Sequence, residues 1–164
     1  MGRKGLGAAL ALVLLLLPIA SLAGSEEVHK RGLRGLNGVY IAVQVDPQAE
    51  HLGLIEAQIL KDIELRLRKA GVRILTKKEC FETPGAPYLS VRIETKIDQG
   101  HVAYITLVEL VERVTLARGF INPGAIWNSA SVGIVGASNI GEIRKDVGDR
   151  VDNFIRDYLE MNPR

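Results

Sequence analysis

Cysteine is almost missing from this chain: Cys80 is the single one in 164 residues. No disulfide can form within the molecule, so the fold must stand on its apolar core. The thiol reads as a buried structural group. Lys77 and Lys78 are close in sequence, but a nucleophilic cysteine also wants an orienting base, and no histidine is near. Histidines are scarce too. His29, His51 and His101 are far apart and show no zinc-like spacing. The sequence contains no G-x-G-x-x-G fingerprint, no Gly-Lys-Ser/Thr phosphate loop and no Gly-x-Ser-x-Gly elbow. These gaps point away from an enzyme and from a bound cofactor or metal.

A charge excess is also missing once the amino terminus is set aside. The full chain carries 21 Lys+Arg against 19 Asp+Glu. Arg3 and Lys4 precede an unbroken apolar run from Ala8 to Leu17, then Pro18 and the small residues Ser21-Leu22-Ala23. That is the three-part pattern of a secretory signal peptide, with cleavage expected after Ala23. The run is too short for a spanning helix, which needs about 20 apolar residues. Loss of Arg3 and Lys4 leaves the remainder formally neutral. The chain therefore gives no electrostatic reason to bind nucleic acid. The mature form is expected to be exported, periplasmic or secreted, and not membrane-spanning. His29-Lys30-Arg31 with Arg34 reads as part of a solvated linker over 24–37; the alternative is a contact with an anionic surface.

What remains, residues 38–164, suits one domain. Val39, Ile41, Val43 and Val45 alternate with Tyr40, Ala42 and Gln44, the period of a strand. Asp46-Pro47 then starts a helix. Its apolar stripe of Leu52, Ile55, Ile59, Ile63 and Leu67 runs to about Ala70, and Gly71 caps it. Val72–Leu75 reads as a short strand and 77–86 as a loop. A strand from Leu89 to Ile97 turns at Gln99-Gly100 into a long β-branched run, 102–116. After a turn at 118–124, a last strand covers 126–134. A helix to about Met161 closes the chain, with Ile140, Ile143, Val147, Val151, Phe154 and Tyr158 as its stripe. The expected fold is α+β, a two-layer sandwich in the order β-α-β-β-β-β-α. Its sheet is mostly antiparallel, with two helices on one face.

Several features tempt a functional reading. The stretch Gly133–Glu142 joins a strand to a helix, as phosphate loops do, but lacks their spacing; it reads as a sharp turn with Asn139 and Glu142 as an approximate capping box. Asp146, Asp149, Asp152 and Asp157 alternate with arginines, as on a solvated helix face. Tyr88 reads as a strand-packing residue or a pocket rim. The feature with most content is the long strand from Val102. Tyr104, Thr106, Val108, Leu110 and Val114 line one face, while Ile105, Leu107 and Val111 line the other. An apolar second face needs a cover. The amino-terminal segment or the 117–124 loop is one; a partner or second subunit is the other. The candidate interaction surface is Ile105, Leu107 and Val111, with Trp127 as a neighbour.

The segments GLNGVYIAVQV, KDIELRLRKAGV, PGAPYLSVRI and IWNSASVGIVGASNIGEIRKDVGDRVDNFIRDYLEMNP together resemble a widespread set of small exported bacterial proteins of unknown function. The resemblance implies a bacterial, exported protein and carries no site residues with it. The architecture also resembles the amino-terminal domain of TolB and similar envelope accessory modules. The function expected is a non-catalytic binding or envelope-assembly module, its partner an envelope protein or a second copy. The alternatives are an exported small-ligand carrier or hydrolase, and a structural homo-oligomer.

Overall fold

The computed structural model describes residues 30–163. The expected signal peptide, its expected cleavage point and His29 lie outside them. The fold is the expected α+β sandwich: one four-stranded mixed sheet with its two long helices on one face. Strand β1 (Tyr40–Val45) lies parallel to β2 (Tyr88–Asp98). Strands β3 (His101–Thr115) and β4 (Ile121–Gly136) complete an antiparallel meander, so the order across the sheet is β1-β2-β3-β4. Gln99 and Gly100 both have positive φ, 45° and 80°, which forms the tight hairpin between β2 and β3.

The single helix expected after Asp46 is two. Asp46 caps α1 (Pro47–His51) by accepting from the Gln48 amide at 2.9 Å. Its other carboxylate oxygen accepts from the Thr95 amide and hydroxyl, tying the helix start to β2. The chain then breaks so that Leu54 drops into the core, and α2 (Glu56–Lys69) begins. Ile59, Ile63 and Leu67 are its buried stripe, while Ile55, expected among them, is exposed. Gly71, at φ 74°, ends α2: the Val72 amide donates to Leu67 O and the Gly71 amide to Arg68 O, a Schellman pair. The short strand expected at 72–75 contributes one parallel bridge, Ile74 to Val39.

A helix missed at the sequence level is α3 (Lys77–Glu82), within the stretch read as a loop. Thr76 and Glu79 form its capping box, each side chain accepting from the other's backbone amide. The last helix, α4 (Gly141–Met161), follows a 3-10 turn at Ala137–Asn139. Its first turn has no side-chain cap, so the Asn139–Glu142 box expected there does not form.

Helices α2 and α4 share one face of the sheet. Between them lie Ile41, Val45, Leu89, Val91, Ile93, Val108, Leu110, Val147, Val151 and Phe154, all buried. Asp62–Arg144 and Arg66–Asp152 clasp the two helices at their outer edge. The linker expected over 24–37 is corrected from Lys30 onward. Leu33 and Leu36 are buried in the main core because an apolar side chain gains more there than in water. The Lys30 ammonium meets Glu160 at 3.0 Å and Asp157 at 3.7 Å, so this cation belongs to the domain. No helix among the described residues is long and apolar enough to cross a membrane.

Candidate functional site

The outer face of the sheet, opposite α2 and α4, is where the molecule leaves apolar surface exposed. Register assigns its rows. Glu94, Ile105 and Val132 stand side by side on β2, β3 and β4; Arg92, Leu107 and Ala130 form the next row; Lys96, Ala103 and Ile134 the one on the other side. Charge sits on the β2 side of these rows and aliphatic groups on the β4 side. Ile105 is 45% exposed, Val132 77% and Ile134 71%. A shallow depression of about 300 Å³ runs between Lys96, Ala103, Ile105 and Val132.

At the β1–β2 end the same face is covered. Tyr40 and Tyr88 pair across the strands and point away from the main core. They pack under α3 and the following loop with Leu75, Cys80 and Ala86, a second, smaller apolar cluster. Beside it lies a cavity of about 290 Å³, lined by Tyr40, Ala42, Phe81, Tyr88, Glu112 and Pro123 among others. Phe81 is exposed at the mouth, with the Arg113 guanidinium 5.7 Å from its ring centre. Ala86 on the wall takes a left-handed φ of 47°, a strained conformation for a residue with a Cβ. Burial pushes the Glu112 carboxyl above its ordinary value. It pushes the Cys80 thiol up as well, against a weaker opposing pull from Arg113. The thiol donates to Pro87 O at 3.4 Å. A thiol held protonated is a weak nucleophile, so the structural role expected of Cys80 fits its surroundings.

The four residues of the expected interaction surface are thus divided. Ile105 and Leu107 do stand on the outer face. Val111 is on that face too, opposite Tyr88, but is only 8% exposed. Trp127 is on the other face and is 2% exposed. Its partner on β3 is Leu110, a core residue, and a one-residue bulge at Ile126 shifts the register just before it. The indole ring meets Phe154 edge-on, with centroids 5.3 Å apart. Its N–H donates to Asp157 at 3.0 Å. Trp127 is therefore withdrawn from the surface: a large apolar ring and a donor both find partners beneath α4.

The acids of α4 need a parallel correction. Asp157 is buried and receives Trp127, Arg156 and Lys30. Asp146 accepts from the buried Thr106 hydroxyl on β3. Asn153 donates to Ser129 on β4 at 3.2 Å. Tyr104 lies in the same seam; desolvation first, then the charge of Asp146, raises its phenol. Asp146, Arg150, Asn153 and Asp157 follow one another at four, three and four residues, which puts them in one line along a helix. That line flanks the apolar stripe. It is a polar seam between helix and sheet, not a solvated face. Asp152 is exposed and pairs with Arg66 on α2. Tyr88 both packs on its strand and lines the cavity. His51 and His101 are exposed and apart, and no group of three or more metal-ligating side chains occurs among the described residues.

No family model matches the chain, and no curated protein matches its sequence. Among solved structures, the crystal structure of the rare lipoprotein B from Shewanella oneidensis aligns with it at 14% identity and a TM-score of 0.34. The alignment covers 71% of this chain and 93% of that one. A likeness of that size carries neither fold detail nor function across. The comparisons assign no family.

Proposed function

We propose that the chain is an exported, non-catalytic binding or envelope-assembly module that meets a protein partner through the β3–β4 half of its outer sheet face. One observation carries this reading. Ile105, Val132 and Ile134, three aliphatic side chains in adjoining positions, are exposed on the half of the outer face that no helix among the described residues covers. Such contiguous apolar surface marks an interaction site more often than a solvated one. The secretory pattern at residues 3–23 supports a partner outside the cytoplasm. The test is crosslinking in living cells with a tagged full chain, followed by mass spectrometry of what is captured. A single envelope protein, captured by the parent and lost on Ile105→Asp or Leu107→Asp in a folded variant, supports the reading. Capture unaffected by either substitution removes this surface from it.

The small-ligand alternative is favoured by one observation of its own, the cavity beneath α3. Its volume is near the lower end of ligand sites, about 300 Å³, and its walls are aromatic and aliphatic. An apolar fluorescent probe displaced by Ala42→Trp, which fills the cavity, would support that reading. Equal probe binding by parent and variant would end it.

A further inference from the structure

Strand β4 is the longest in the sheet, at 16 residues, and it lies at the edge. Among the described residues nothing pairs with its outer side. An unpaired edge offers a row of amides and carbonyls to any other strand, and proteins normally guard it with charge, proline or brevity. From Ile121 to Gly136 there is no Asp, Glu, Lys, Arg or His, and the one proline, Pro123, is near the start. The neighbouring β2 carries Arg92, Glu94, Lys96 and Asp98. At the opposite edge β1 is uncharged too, but it has six residues and its approach is bridged by Ile74. So the long edge is the unguarded one.

We infer that β4 pairs antiparallel with β4 of a second copy, about a two-fold axis at Val132, joining two sheets into one of eight strands. This goes beyond the reading above: the pairing uses the edge of β4 and extends the outer face beside it instead of covering it. A strand without charge is self-complementary under a two-fold axis, because no like charges are brought opposite one another. With the axis at Val132, Ala130 stands opposite the partner's Ile134, and Ile134 opposite the partner's Ala130. Since Ile105 already neighbours Val132 on β3, the outer face gains an aliphatic row across four strands: Ile105, Val132, and the same two residues of the second copy. On the inner face Ser131 meets the partner's Gly133, side chains small enough to leave room for the helices. Helix α4 rests on both β3 and β4. With strands about 4.8 Å apart, the two α4 helices come to roughly 10 Å across the axis, at helix-packing distance. On α4, Arg150 lies 3.9 Å from Asp146, and its Nε is buried with no hydrogen-bond partner among the described residues.

The experiment takes the full chain, processed by the cell and purified, to light scattering and sedimentation equilibrium. The parent is expected to be a dimer. Val132→Lys places two ammonium groups opposite each other, at a position exposed enough to leave the fold intact. It should weaken dimerisation about tenfold or more, with the buried Trp127 fluorescence unchanged. Opposed strand residues have Cα atoms about 4.5–5.5 Å apart, within disulfide range. In a Cys80→Ala background, Val132→Cys should therefore oxidise to a covalent dimer. Asn128→Cys should not, because the two copies' residues 128 would be eight positions apart, roughly 26 Å. A monomeric parent overturns the inference. So does a dimer indifferent to Val132→Lys, or one that crosslinks through residue 128 and not 132. A monomer would leave the binding-module reading standing on the envelope capture, where loss on Ile105→Asp is scored separately.

Discussion

The outer face of the sheet has two halves that obey the same strand alternation and meet different fates. At the β1–β2 end, Tyr40 and Tyr88 are roofed by α3, and Cys80 and Leu75 close a small second core. At the β3–β4 end, Ile105, Val132 and Ile134 have no roof among the described residues, and their exposure is high. The difference teaches that apolar alternation on both sides of a strand states a demand for cover without saying who supplies it. One half is covered by the chain's own short helix, built on a capping box. The other half stays bare among the described residues, and the uncharged edge of β4 runs beside it.

The sharpest way to break this comparison is to set both halves against the true core. Phe154, fully buried under α4, should cost about 3–5 kcal/mol when cut to alanine, read by urea denaturation. Trp127→Phe keeps the ring packing but removes the donor to the buried Asp157; a loss of about 1–3 kcal/mol is expected in the same assay. If Trp127→Phe is neutral, the tryptophan is not anchored as described. At the covered half, Thr76→Ala removes the acceptor of the Glu79 amide and should cost about 1 kcal/mol.

Two carboxyls of the covered half respond to acid in opposite directions. Hydrogen bonds from the Thr76 amide, then its side chain and Arg73, hold Glu79 at about 2 against an ordinary 4.5. A depressed value means stability present above 4.5 and lost as the pH falls toward 2. The advantage of the parent over Glu79→Gln should shrink across that window. Glu112 is raised by burial, so its cost appears as the pH rises through the raised value. Glu112→Gln should therefore be the more stable form at pH 7, with the gap closing below 4.5. Equal profiles for both variants would mean that the α3 end is looser than described. The smallest effect is expected on the bare half: Val132→Ala should change the unfolding free energy of the monomer by less than about 0.5 kcal/mol, because so little of that side chain is buried. A large loss there, rising with protein concentration, would show that the half is covered in solution.

Much of this was legible in the residues. The alternation of 39–45, 89–97 and 102–116, the Asp46 cap and the Gly71 stop all appear where the side-chain periods put them, because each depends on neighbours within a few residues. The helix α3 was legible as well, since Thr76-x-x-Glu79 is a capping-box pattern at the head of the stretch read as a loop. The line Asp146, Arg150, Asn153, Asp157 has helical spacing, but nothing local says that it faces the sheet. That follows only from where α4 lies, above β3 and β4, with Thr106, Ser129 and Trp127 waiting as partners.

By itself, then, the sequence determined the elements, their faces and the need to cover the outer side of β3. Which residues met across the sheet was decided in three dimensions. A one-residue bulge at Ile126 and the parallel placement of β1 beside β2 fix which strand ends share a surface. They sent Trp127 inward, left Val132 and Ile134 outside, and put the uncharged β4 at the edge, because pairing register and strand order depend on contacts between residues far apart in the chain.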